Sequence, residues 1–327
     1  MLELRRGTTA ETEDLSFNRH VRLFRWREWL SRAFGVYRIH DLLTLAYLAF
    51  ASTMAVIGRE RVPHWKVILL IHCGLAAFIT LLANCRERGP RVLRFLSHWH
   101  PLALFGFFFE EIGHIVHAVH PGWFDDPLIA FDHALFGAHP TVWLEQFSGY
   151  WMNEYMQLAY TFYLPLLPLF GAYLWLRGRR EGFDTYIVSM CAAYYLCYVI
   201  FLFFPIEGPH HTLAHLQRVE LIGGPATAVI GLIEKHGRVH GGAFPSTHVA
   251  GAVVVLISAY RFARRLGYAL TPIVISICIS TIYGRYHYAV DVLAGIVMAG
   301  IGCWLGEKLR RTRPAVIPLA KAAQEAA

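Results

Sequence analysis

The residues best suited to chemistry lie in two short segments. The first, Gly241-Gly242-Ala243-Phe244-Pro245-Ser246-Thr247-His248, joins two glycines and a proline to a hydroxyl and an imidazole. Proline fits the first turn of a helix because its missing N–H has no partner there, and the free amides of that turn attract anions. Ser246 adds a hydroxyl donor, and His248 follows two residues on. The second segment, Tyr283-Gly284-Arg285-Tyr286-His287-Tyr288-Ala289-Val290-Asp291, sets a histidine four residues ahead of an aspartate. On a helix this spacing puts both on one face. The carboxylate then holds one imidazole nitrogen, fixes the tautomer and leaves the other as nucleophile or base. Read without function, the first segment is a Gly-Pro loop capping a helix and the second a His-Asp tie between helices.

A third group is Glu110, Glu111, His114 and His117, in which Glu110, His114 and His117 follow i, i+4, i+7 spacing. That spacing predicts one helical face, lining a polar cavity for a headgroup or acceptor hydroxyl, or forming a polar seam between helices. A metal site would need a second set of ligands, and none is evident, so no metal is expected. The six cysteines show neither metal-ligand spacing nor a disulfide framework. No nucleotide-binding glycine loop is present, and no cofactor is expected.

These residues must be positioned by a very apolar chain. Of 327 residues, 56% are hydrophobic and 16% charged, with a mean hydropathy of +0.40. This composition excludes an ordinary soluble domain and predicts an all-α, polytopic membrane helix bundle. About eight spans are expected, over 39–58, 66–84, 101–119, 151–176, 185–204, 244–260, 268–284 and 287–306. Residues 1–38 read as a polar tail and a basic amphipathic interfacial helix, 39–99 as two accessory transmembrane helices, 100–306 as the functional membrane core and 307–327 as a basic tail. The formal charge of +7 sits in short runs between apolar segments instead of one stripe, which argues for topology and against nucleic acid.

Arginine clusters after the fourth, sixth and eighth spans fall on one side, expected to be the cytoplasm along with both termini. The turn with Arg59, Arg61 and Lys66 is the exception. Both chemical segments then fall at the extracytoplasmic face, where most of the 18 histidines also lie. Two long connections on that face, 120–150 and 205–243, are rich in Gly, Pro, His and aromatic residues. Asp125, Asp126 and Asp132 stand among the aromatics of the first, which is expected to form short surface helices.

Taken together and in this order, the two segments resemble the type 2 phosphatidic acid phosphatase superfamily of membrane lipid-phosphate phosphatases and phosphotransferases. Its Pro-Ser-x-His motif is met at Pro245, Ser246 and His248, and its Ser-Arg-x5-His-x3-Asp motif at Ser280, His287 and Asp291, with Thr281 in place of the arginine. No Lys-x6-Arg-Pro precedes them. The segment Phe204-Pro205-Ile206-Glu207-Gly208-Pro209-His210, with Tyr286-His287-Tyr288, is similar to the inositolphosphotransferase branch, which includes inositol phosphorylceramide synthases. The resemblance covers residues 100–306 and implies a six-helix phosphatase-like core.

The resemblance further implies that His287 attacks the phosphorus of a membrane lipid phosphate, that Asp291 orients it and that His248 protonates the leaving oxygen, through a phosphohistidine. Ser246, Arg285, His210 and Gly242 are the expected phosphate contacts, with Arg285 and His210 standing in for the absent basic residues. The acceptor is water in a phosphatase or a lipid alcohol, ceramide-like in the inositolphosphotransferase branch, in a transferase. A non-catalytic protein that binds or transports anionic lipid is the rival of another class. A plasma or inner membrane is the expected location.

Overall fold

The computed structural model describes residues 35–237 and 239–312, apart from the side chains of 234–237 and 312. The expected polar tail and interfacial helix up to residue 34, and the basic tail beyond residue 312, lie outside the described residues. Among the described residues there is no β-strand and there are twelve helices: α1 (Ile39–Ile57), α2 (Trp65–Cys85), α3 (Arg91–Ile115), α4 (Asp125–Phe136), α5 (Pro140–Trp143), α6 (Tyr150–Leu176), α7 (Arg180–Phe203), α8 (Pro209–Thr212), α9 (Pro225–Gly237), α10 (Thr247–Phe262), α11 (Arg264–Tyr283) and α12 (Ala289–Thr312). Six of them, α1, α2, α6, α7, α11 and α12, are long and apolar enough to cross a membrane. With α3 and α10 they make the expected eight, and the chain is an integral membrane helix bundle.

Helix α7 lies at the centre and packs against α12, α10, α1, α3 and α6. Its tyrosines fill the core, and their hydroxyls find partners on neighbouring helices, as apolar surroundings demand. Tyr198 donates to the Phe105 carbonyl of α3 at 2.8 Å, and Tyr186 to the Leu167 carbonyl of α6 at 3.0 Å. Helix α12 approaches α7 closely because Gly302 and Gly306, four apart, face Ser189 and Ala193. A Cβ at either glycine would run into that backbone.

Two helices depart from the sequence pattern. Helix α3 begins at Arg91, ten residues before the expected start, so it runs across the 99/100 boundary read from sequence. Pro101 lies inside it, where its missing N–H frees the Ser97 carbonyl. That carbonyl is recovered from outside the helix: Arg86 Nη2 donates from 3.0 Å, and His40 Nε2 lies 3.3 Å away. Helix α10 has 16 residues, a length of about 24 Å, short of the roughly 30 Å hydrocarbon core.

The helix ends sort by charge. Arg38, Arg86, Arg91, Arg94 and Arg180 gather at one end. There Arg261 pairs with Glu307 at 2.9 Å and Arg310 with Glu181 at 2.9 Å, joining α10, α12 and α7. The Arg59-Arg61 turn lies at the other end for a local reason. Arg61 Nη1 donates to the carbonyls of Ala118 and Val119, at 3.3 and 3.2 Å, closing the chain end that follows α3.

Candidate active site

The end opposite the arginines is assembled from the starts of α10 and α12. Ser246 is the N-cap of α10, its hydroxyl accepting from the Val249 amide at 3.3 Å, and Thr247 opens the helix. Pro245 therefore precedes the cap instead of occupying the first turn. The Ser246 amide donates to the Asp291 carbonyl at 3.1 Å, which ties the two helix starts together. Between α11 and α12 the chain folds back, with the amides of Tyr286 and His287 both donating to the Thr281 carbonyl.

This arrangement sets four side chains in a line. Asp291 Oδ2 accepts from the Tyr288 amide at 2.8 Å and lies 3.3 Å from His287 Nδ1. His287 Nε2 lies 3.4 Å from His248 Nδ1, and His248 Nε2 lies 3.0 Å from the Tyr160 hydroxyl. The expected carboxylate–imidazole pair is present, although α12 starts only at Ala289. Asp291 thus holds the loop that carries His287 as well as the ring itself. Chemically, the line fixes His287 with Nδ1 toward the carboxylate and Nε2 toward a second imidazole, the arrangement of an oriented nucleophile beside an acid–base partner.

Several contributors were not assigned a role from sequence. Tyr160 on α6 contacts His248 and stacks on Tyr286 with ring centroids 4.1 Å apart; Tyr286 in turn donates to Gln157 at 2.8 Å. Asp125 and Asp132 on α4 face inward seven residues apart. Asp125 accepts from the amides of Glu207 and Gly208 at 2.9 and 2.8 Å and from the Tyr288 hydroxyl at 2.8 Å. Asp132 accepts from the amides of Ala289 and Val290 at 2.8 and 2.9 Å, capping α12 from another helix. Burial pushes the Asp132 carboxyl above the usual range, and the two amides pull it back. The i, i+7 spacing of these aspartates in an aromatic segment was the available signal.

A cavity of about 750 Å³ with mostly apolar walls opens from the histidines. His248, His287, Tyr286 and Arg285 line one end of it. It continues along α3 past Phe109, Gly106 and Leu102 to Trp99 and Phe95, with Leu164 and Leu167 of α6 opposite. From Phe109 to Phe95 is fourteen residues, about 21 Å along a helix.

Comparison with known proteins gives the same direction. Residues 126–305, more than half of the chain, match the profile of the PAP2 superfamily. The chain belongs to the PAP2 superfamily. It is also similar to a PA-phosphatase related-family protein of Dictyostelium discoideum, 33% identical over 120 residues, which are 36% of this chain and 22% of that one. The chain thus aligns with under a quarter of that relative's length. No solved structure matches.

In this PAP2 protein the residues expected to bind phosphate are spread over several environments. Gly242, His210 and Arg285 line the cavity, whereas the Ser246 hydroxyl is turned to its capping bond. Arg285 is the only Lys or Arg in that lining among the described residues. It has a left-handed φ of 65°, uncommon for a side chain of this size, and its Nη2 is held by Glu145 Oε1 at 2.7 Å and by the Val219 carbonyl. Thr281, at the position of the family's arginine, is buried and donates to the Cys278 carbonyl at 2.8 Å.

The third group does not form one face. Glu110 lines the cavity, but Glu111 is buried against His72 of α2, 2.5 Å from its Nε2. His114 is exposed. Helix α3 ends at Ile115 and tightens into a 3-10 turn, so His117 swings to the His120 carbonyl at 3.0 Å, with its ring against Trp123. The i, i+7 reading fails because the helix stops before the third residue.

Proposed function

We propose that this protein transfers the phosphate of a membrane lipid phosphate through a phosphohistidine on His287, at the extracytoplasmic face. The observation that carries this reading is the Asp291-His287-His248-Tyr160 line opening onto the long apolar cavity. The line supports nucleophilic chemistry on a phosphate ester, and the cavity is suited to the chain of a lipid.

In the proposed sequence, the phosphate enters beside Arg285, His210 and the Gly242 backbone, displacing the direct contact between the two imidazoles. His287 Nε2 forms a bond to phosphorus while the P–O bond to the lipid alcohol breaks. His248 gives its proton to the departing oxygen. Asp291 holds the Nδ1 proton and stabilises the positive ring. An acceptor oxygen, from water or a lipid alcohol, then attacks phosphorus as His248 takes its proton and the N–P bond breaks. Tyr160 positions His248 by its bond to Nε2.

The arginine-rich end fits the cytoplasmic side, which supports an extracytoplasmic position for the histidines. The test is an assay of purified protein on phosphatidic acid and polyprenyl phosphates, with and without lipid alcohols, beside His287→Ala and His248→Ala. Free phosphate identifies a phosphatase, and acceptor-dependent product without free phosphate a transferase. Equal inactivity of wild type and both variants on every substrate would favour a lipid-binding protein instead. A thiol reagent that reached a cysteine placed at 240 only from the cytoplasm would overturn the orientation.

A further inference from the structure

The end of the bundle away from the histidines holds a second cavity, of about 480 Å³. Five arginines line it: Arg38, Arg86, Arg91, Arg94 and Arg180. Phe95 and Trp175 supply aromatic wall, and Asp184 is the only acid in the lining among the described residues. Helices α1, α3 and α7 all begin here, at Ile39, Arg91 and Arg180, so the positive ends of three helix dipoles add to the guanidinium charge.

The local acids neutralise only part of this. Asp184 takes Arg38 at 2.9 Å, and the buried Asp41 takes Arg86 at 2.7 Å. Arg180 lies over the Trp175 ring, 3.4 Å from its centroid, and makes no ion pair among the described residues. Arg91 and Arg94 have no ion pair among the described residues. Arg86 Nε has no hydrogen-bond partner among the described residues, and the side chain is only 4% exposed. A general excess of basic residues at the cytoplasmic face puts arginines on loops. It does not turn five of them, from three stretches of sequence, toward one concavity.

We propose that this cavity binds a phosphate-bearing anion of headgroup size, at a site separate from the histidines. Guanidinium groups present planar pairs of donors that match phosphate oxygens, and the volume falls in the range of small-ligand sites. The phosphate belongs either to the headgroup of an anionic lipid or to a soluble polyphosphate; both present the same oxygens.

The test uses the full chain in phosphatidylcholine nanodiscs, with retention read by native mass spectrometry. One arm adds phosphatidylinositol 4-phosphate to the bilayer, the other adds pyrophosphate to the buffer. Binding in the first arm alone assigns the lipid headgroup, and in the second alone the soluble anion. The R91Q/R94Q variant, which changes two exposed side chains at the start of α3, is expected to bind about tenfold more weakly or worse. Either single variant serves if the double one does not fold. R177Q/R179Q, which removes the same charge outside the cavity, and H248A/H287A are expected to bind as wild type does. No binding in either arm, equal binding by wild type and R91Q/R94Q, equal loss in R177Q/R179Q, or loss confined to H248A/H287A would each overturn the site.

Discussion

At the histidine end of the bundle, carboxylates hold backbone amides; at the opposite end, guanidinium groups face a cavity. Asp125, Asp132 and Asp291 each accept from amides of the loops around the histidines. Glu154 does the same for Gly224, Ala226 and Thr227 at the start of α9. The one arginine that lines that cavity among the described residues is already held by Glu145. At the other end, five arginines line a cavity, and among the described residues only Arg38 and Arg86 have an acid partner, Asp184 and Asp41. The contrast separates two requirements of a phosphate site. Amide-bound carboxylates position groups firmly while adding no positive charge, whereas clustered arginines attract an anion but supply no nucleophile. The histidine end is therefore built for placement and has few cations to spare, and in the proposed reaction phosphate binding would turn on Arg285.

The largest effect tests whether the histidine end is the reactive one. His287→Ala is expected to lower kcat/KM for phosphate transfer by about 10³-fold or more. Activity within about tenfold of wild type would move the chemistry elsewhere. Next comes placement by the carboxylates. Asp132→Ala removes both acceptors of the α12 start and is expected to cost about 2–4 kcal/mol, lowering the melting temperature in detergent. An unchanged melting curve would mean that the cap does not hold α12.

Cation supply is the third test. Arg285→Gln is expected to raise KM about tenfold, the loss of roughly one charged contact. Glu145→Gln should act in the opposite direction, lowering KM by about two- to fivefold as the guanidinium is released. If both variants raise KM, Glu145 orients Arg285 for its task instead of competing with the substrate. The smallest effect is expected at Tyr160→Phe. It should reduce kcat by about three- to tenfold with little change in KM and shift the acid–base profile, because His248 loses the bond to its Nε2. Loss of KM alone would make Tyr160 a wall of the cavity.

Much of the fold was legible because hydrocarbon imposes length and polarity on any spanning helix. The eight long helices correspond to the apolar runs, and α4 and α5 fall in the connection expected to hold short helices. Errors arose where a local signal was overruled by a partner distant in sequence. The third span is expected from residue 101, but α3 starts at Arg91 and continues through Pro101, and Arg86 takes the carbonyl that this proline frees. Glu111 is grouped with Glu110 in sequence as a headgroup contact or part of a polar seam; consecutive helical residues point about 100° apart, and His72 of α2 takes Glu111 into the seam.

The sequence by itself determined the membrane class, the number of long helices and two segments with the right residues for phosphate chemistry, because each depends on composition and on spacing within one element. Only the tertiary structure decided that His248 and His287 meet, that Tyr160 lies behind them and that α4 caps α12. It also decided that Arg285 is shared with Glu145 and that arginines from three stretches converge on one cavity. Those contacts span tens to more than a hundred residues, and no periodicity within a helix encodes which neighbour will supply the partner.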